Sequence, residues 1–142
     1  MPEIGYYFGH HFATEQKKLF TELGINLITP VPLHPKKQIS RGYNQSERIA
    51  SGISDVLGVP IQNDMLVRNE ERETQTKYGR FKRWENVSGI YEVKEQEQYY
   101  GKKVLLVDDV FTTGATVIAC ADALKKVKGL EVSVATLAMA SK

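Results

Sequence analysis

Only one of the 142 residues is cysteine, Cys120, so the chain cannot staple itself with a disulfide. There is no second Cys to complete a CxxC pair. The three histidines, His10, His11 and His34, lack zinc-ligand spacing, so a structural metal is not expected either. No apolar run approaches the ~18 residues that cross a bilayer, and no basic segment followed by a hydrophobic one opens the chain. A cytoplasmic location without membrane contact is the resulting expectation. Charge of one sign is also scarce: 19 Lys+Arg against 17 Asp+Glu leaves +2, too mild for the footprint of a dedicated nucleic-acid binder. Any anion binding must therefore come from local clusters.

What is present suits one ordinary domain spanning residues 1–142, with 42% hydrophobic and 25% charged residues. A domain of this size buries roughly 68–70% of the surface its unfolded chain exposes, enough for a core without staples. Cys120 then reads as a small buried hydrophobe on a helix. Residues Met1 to Ala13 are unusually aromatic and have no partner segment before them, which suggests that a further segment belongs upstream.

Two regions alternate short apolar runs with helical periodicity, the pattern of a mostly parallel sheet flanked by helices. In the first, a helix is expected from Thr14 to Leu23, ending at Gly24, followed by a strand at Ile25–Thr29. After a loop, Asn44 and Glu47 have capping-box spacing, and Ile49, Ile53, Val56 and Leu57 place an apolar stripe on the helix they open, which Gly58 stops. In the second, Lys103–Val107 reads as a buried strand, a helix follows near Ala115–Val127 with Val117, Ile118, Ala121 and Leu124 as its core face, and Val132–Ala138 is the next strand. Between them, Asn63–Gly101 is polar, with a short helix expected around Tyr78–Asn86 and a weak strand at Ile90–Val93.

The chemistry concentrates in Val104–Thr116, VLLVDDVFTTGAT: a buried strand, two adjacent acids at its end, and a Thr-Thr-Gly turn into a helix. Ligands of parallel sheets meet the carboxyl ends of the strands, where turn N–H groups and a helix N-terminus can receive a phosphate. Gly114 would let the backbone approach an anion without a Cβ in the way, and the hydroxyls of Thr112, Thr113 and Thr116 could donate to its oxygens. Asp108 and Asp109 would repel a phosphate. They suit sugar hydroxyls, or a divalent cation shared with the ligand. An N-capped helix whose Asp and Thr merely serve the turn is the structural alternative.

This constellation resembles the 5-phosphoribosyl-1-pyrophosphate (PRPP) motif of the type I phosphoribosyltransferases. The resemblance implies that Asp108 and Asp109 hold the ribose hydroxyls and are the catalytic pair, with Mg²⁺ reached mainly through ligand or water. It further implies that Thr112, Thr113, Gly114, Ala115 and Thr116 cradle the 5′-phosphate. A second segment, Pro30–Gln45, is similar to the ComF family, phosphoribosyltransferase-like proteins linked in some bacteria to competence for DNA uptake. The shared residues are Val31-Pro32-Leu33-His34-Pro35, the basic pair Lys36-Lys37, and Arg41-Gly42-Tyr43-Asn44-Gln45. In the type I fold this is the pyrophosphate loop, which implies diphosphate contacts from main-chain N–H groups near Leu33–Lys36, including His34, and from Lys36, Lys37 and Arg41. A third segment carries Arg68, Thr74-Gln75-Thr76, Arg83, Asn86, Gly89 and Tyr91. There the family has a mobile flap that would exclude water, so Arg68, Thr74, Gln75 and Thr76 are expected on a flexible loop.

The resemblance departs from the family in three places. The Cys-rich, zinc-ribbon-like N-terminal segment of most ComF proteins is missing, and no acceptor-binding hood is evident. Thr112 also stands where some purine-base transferases have an Asp that assists the incoming base. The expected activity is thus a Mg²⁺-dependent phosphoribosyl transfer to a nitrogen acceptor. The alternative is a non-catalytic PRPP- or nucleotide-binding module of a DNA-uptake system. Single-stranded DNA is a further candidate partner, from Lys77, Arg80, Lys82 and Arg83 interleaved with Tyr78, Phe81 and Trp84, and type I proteins are often homodimers.

Overall fold

The computed structural model describes residues 2–33, 42–69, 89–111 and 114–139. Helices α1 (Pro2–Glu15) and α2 (Lys17–Leu23) lead into strand β1 (Leu27–Pro30), followed by α3 (Gln45–Leu57). A small antiparallel pair, β2 (Leu66–Arg68) with β3 (Tyr91–Val93), precedes a 3₁₀ turn at Gln96–Tyr99. Strand β4 (Lys103–Phe111), helix α4 (Ala115–Lys125) and strand β5 (Glu131–Met139) complete the chain.

The main sheet has the order β1-β4-β5, and both pairings are parallel. On the outer side of β1, the Ile28 N–H donates to the Pro60 carbonyl and the Gln62 N–H to the Ile28 carbonyl, so residues 60–62 extend the sheet without forming a named strand. Central β4 reads Val-Leu-Leu-Val at 104–107, and all four side chains are fully buried. Strand alternation divides them between two cores. Val104 and Leu106 pack with α4 residues Val117, Cys120 and Leu124 and with Tyr91 and Val93 of β3. Leu105 and Val107 pack with Ala13, Phe20, Ile49 and Ile53 from the first three helices. The result is an α/β domain whose sheet has helices on both faces, as expected from the alternating pattern.

Several elements differ from the expectation in instructive ways. The helix expected over Thr14–Leu23 is α2, which starts at Lys17 and is capped by Gly24 as expected; the aromatic stretch before it forms a helix of its own, α1, beginning at Pro2, whose fixed φ suits a first helical position. Its buried stripe is made of small residues, Gly5, Gly9 and Ala13, four apart, while Ile4, Tyr7 and Phe8 face out. A search for large apolar residues at helical spacing misses such a stripe. The strand expected at Ile25–Thr29 starts two residues later, because Ile25 and Asn26 still serve the α2 exit and a bond from Asn26 N–H to the Lys103 carbonyl. On α4, Val117 and Leu124 are buried as expected, but Ile118 is 56% exposed and Ala119, Cys120 and Ala123 complete the core face. Cys120 is wholly buried. The helix expected around Tyr78–Asn86 lies outside the described residues.

Two glycines set a close approach where α1 crosses α3. A Cβ on Gly9 would lie 2.1 Å from the Ile49 carbonyl oxygen, and one on Gly52 would lie 2.1 Å from that of Tyr6. Both obstacles are backbone, which cannot rotate away. Gly9→Ala must therefore push the helices apart, at a cost of about 2–3 kcal/mol. Gly58 caps α3 at φ +68° with nothing within 4 Å, so Gly58→Ala should cost only the ~1 kcal/mol of a left-handed backbone. Urea unfolding of both variants checks the ranking, and a Gly9→Ala protein as stable as the parent would contradict the tight crossing.

Candidate functional site

Strand β1 ends opposite β4 at the Pro30–Val107 pair, while β4 continues through Asp108 to Phe111 beside β5. The two acids therefore stand at a step in the sheet, just beyond the last paired residue of β1. The chain leaving β1 closes one side: the Val31 N–H donates to the Val107 carbonyl at 2.8 Å. Asn44, buried at the start of α3, then ties two segments together. Its Oδ1 accepts from the Ser46 N–H at 2.9 Å as the helix N-cap, and its Nδ2 donates to the Val31 carbonyl at 3.1 Å. That bond holds Ser46 where its hydroxyl donates to Asp108 Oδ1 at 3.3 Å. The same Asp108 oxygen accepts from the Asp109 N–H at 2.9 Å.

The cleft so formed measures about 40 Å³ and is lined by Val31, Pro32, Leu33, Asn44, Gln45, Ser46, Asp108 and Asp109. Removal from water raises the Asp108 carboxyl from 3.8 to about 6, and the neighbouring Asp109 adds to the rise. The Asp109 N–H and the Ser46 hydroxyl work the other way by stabilising the carboxylate. Burial outweighs these two donors. Such a group gains from a ligand that brings hydroxyl donors or positive charge.

On the far side of the acids, Gly114 is buried at φ +81° and caps α4, whose first turn holds Ala115 and Thr116, both exposed. The left-handed backbone explains why glycine stands at this position. The structure thus brings Leu33, Asp108 and Asp109 into one cleft, with Gly114, Ala115 and Thr116 opening the helix that follows β4. The expected site residues His34, Lys36, Lys37, Arg41, Thr74, Gln75, Thr76, Thr112 and Thr113 lie outside the described residues. Arg68 does not sit on a loop. It belongs to β2, paired with Tyr91 of β3, and its guanidinium donates to the Tyr91 hydroxyl at 2.9 Å and lies 5.3 Å from that ring's centroid. The aromatic strand gives it both a hydrogen-bond partner and a π face, which is why it sits in a strand rather than on the expected loop.

Ser46 was not singled out by sequence, because a serine in a helix's first turn is unremarkable without knowledge of what the helix points at. The capping box is half formed: Asn44 caps, but its bond goes to Ser46 N–H, and the Glu47 side chain lines a neighbouring cavity. Among the described residues no three His, Cys, Asp or Glu side chains converge as a metal cage. The Asp108/Asp109 pair does fit a Mg²⁺ ion that takes its remaining oxygens from ligand and water.

Residues 44–142 match the family model for the phosphoribosyl transferase domain. The chain belongs to the phosphoribosyl transferase domain family. Within that family it groups with ComF proteins. It is 32% identical over 114 residues to competence protein F of Haemophilus influenzae, covering 80% of this chain and 50% of that protein. Competence protein ComFC of Bacillus subtilis is 28% identical over 133 residues, 92% of this chain and 51% of that one. The DNA utilization protein YhgH of Escherichia coli is 30% identical over 97 residues, 68% of this chain and 42% of that one. The chain thus spans about half the length of the curated relatives it matches. A solved purine phosphoribosyltransferase from Pyrococcus horikoshii is similar at 18% identity and a TM-score of 0.49, covering 96% of this chain and 71% of that one.

The raised Asp108 sets a pH dependence of stability. Below about pH 4 the folded and unfolded chains both carry this carboxyl protonated, and its burial costs nothing. Between about pH 4 and 6 the folded state binds more protons than the unfolded, so stability falls as pH rises, and above 6 the penalty is complete. Asp108→Asn removes it. The variant should be more stable than the parent by about 1 kcal/mol at pH 7, after allowance for partial solvent screening, with the gap closing by pH 4. Urea titrations at several pH values check this, and a pH-independent gap would contradict the assignment.

Proposed function

We propose that this chain binds PRPP with Mg²⁺ at the step between β1 and β4 and transfers the phosphoribosyl group to a nitrogen nucleophile. The observation that carries the reading is the adjacent acids Asp108 and Asp109, the first of them desolvated, at the carboxyl end of a buried parallel strand, followed by a helix opened at Gly114. Membership of the phosphoribosyl transferase domain family supports it.

In this reading the bond from C1′ to the diphosphate oxygen breaks and a C1′–N bond forms. Pyrophosphate leaves with the electron pair, and the nucleophile's proton passes to solvent. No side chain becomes covalently attached. Asp108 and Asp109 accept hydrogen bonds from the ribose hydroxyls and fix the sugar, and their negative charge favours the positive charge developing at C1′. Ser46 and the Asp109 N–H hold the Asp108 carboxylate in orientation. The turn ending at Gly114 and the first turn of α4 receive the 5′-phosphate through main-chain N–H groups, with Thr116 as an added donor. Leu33 and the segment after it, which carries His34, Lys36, Lys37 and Arg41, face the diphosphate. Bound Mg²⁺ would disperse the negative charge of the departing diphosphate, with Asp108 and Asp109 as the residues that hold it.

Relatives named for competence and DNA utilization favour a second reading, in which the site binds PRPP or a nucleotide without transfer and serves DNA handling. The two separate by chemistry. Mg·PRPP incubated with purine and pyrimidine bases, ammonia and glutamine should release pyrophosphate only when an acceptor is present if transfer occurs. Binding without release supports the non-catalytic module. Asp109→Asn should weaken Mg·PRPP at least tenfold by calorimetry, about 1.4 kcal/mol, with the thermal transition retained. Undiminished binding would remove the pair from the site.

A further inference from the structure

Asn44 is 5% exposed, and both ends of its amide are committed. Its Oδ1 accepts from the Ser46 N–H as the cap of α3, and its Nδ2 donates to the Val31 carbonyl. The cap alone does not require asparagine, since serine or aspartate would serve it as well. Only asparagine among the three adds N–H donors on the same short side chain, so the second bond accounts for the residue type. That bond acts at a sensitive place. The Val31 N–H is already held by the Val107 carbonyl, and Asn44 holds the other end of the same residue. Pro32 follows with its φ locked by the ring, and it keeps Val31 extended. The first soft torsion beyond β1 is therefore the ψ of Pro32, so the direction in which Leu33 reaches the cleft is largely set before it.

We propose that Asn44 is a positioning residue that sets the two ends of the donor site through two separate arms. Nδ2 acts through Val31 on the segment that faces the diphosphate, and Oδ1 acts through Ser46 on the Asp108 carboxylate that faces the ribose. The arms diverge from one planar amide, so the two ends keep a fixed spacing although neither bond is made to the ligand. Which arm serves which end of the ligand rests on the phosphoribosyl-transfer reading, whereas the arms themselves rest on the hydrogen bonds alone. Loss of one arm weakens one part of the ligand. A residue needed only for folding would weaken both parts together.

Two half-ligands separate the arms: inorganic pyrophosphate with Mg²⁺, and ribose 5-phosphate, each titrated by calorimetry. Asn44→Ser keeps the cap, adds no charge and, one atom shorter, does not reach Val31. It should weaken Mg·pyrophosphate by about fivefold or more and leave ribose 5-phosphate within about twofold. Ser46→Ala should do the reverse. Equal losses of both half-ligands in either variant, or no loss in Asn44→Ser, overturn the two arms. Hydrogen exchange read by NMR needs no ligand: the Val31 amide should exchange about tenfold faster in Asn44→Ser, with the interior amides of α3 unchanged. Asn44→Asp, which keeps the shape and the cap but sets an oxygen against the Val31 carbonyl, should show the same exchange. Unchanged Val31 exchange, or faster exchange along the whole of α3, overturns the Val31 arm. If the parent binds neither half-ligand while Val31 alone responds, that arm stands and the donor reading falls instead.

Discussion

Everything at the candidate site depends on how dry β4 is. Four consecutive side chains, Val104 to Val107, have no contact with water, because helices cover both faces of the sheet and strands flank both edges of β4. Along the stretch paired with β1, Val104 to Val107, β4 therefore carries no charge. Asp108 is the next residue, and it is still desolvated enough to resist ionisation. Polar support follows from the same constraint: a half-buried carboxylate needs donors, and the nearest are its neighbour's N–H and a serine brought in by another helix. Parallel topology thus creates both the location of the acids and the strain in their ionisation.

That serine is delivered by a longer chain of cause. Gly9 and Gly52 let α1 and α3 cross with backbones nearly touching, which fixes where α3 lies against the sheet. Asn44 locks the first turn of α3 to Val31, the residue that follows β1. With both ends of the helix placed, Ser46 has little choice but to face Asp108. None of these groups needs to meet a substrate, yet each sets the position of one that would.

Much of this was legible in the sequence, and what was not has identifiable causes. The Val-Leu-Leu-Val run, the acid pair and Gly114 are local signals, each tied to one physical requirement, and they locate the strand, its mouth and the next helix directly. Cys120 as a buried helical residue followed from its being the single cysteine and from the helical periodicity around it. The α1 helix was hidden because its buried stripe is Gly5, Gly9 and Ala13, residues that hydrophobic periodicity does not count. Strand β2 was hidden by brevity: three residues ending in Arg68 look like loop until Tyr91 is known to lie opposite. Ser46 carries no local signature at all, because what matters about it is which distant segment it faces.

Cys120 deserves a last thought as an instrument that the molecule already contains. It sits wholly buried on α4, and burial, reinforced by the charge of Asp108, pushes its thiol far above ordinary cysteine, so the folded protein presents almost no thiolate. A thiol reagent can reach it only while α4 is lifted from the sheet. The rate of its modification is thus a clock for that opening, read at a single atom without any introduced label. Because α4 begins at Gly114, the same clock times the loosening of the wall where a phosphate would rest. A ligand that clamps this wall must slow it.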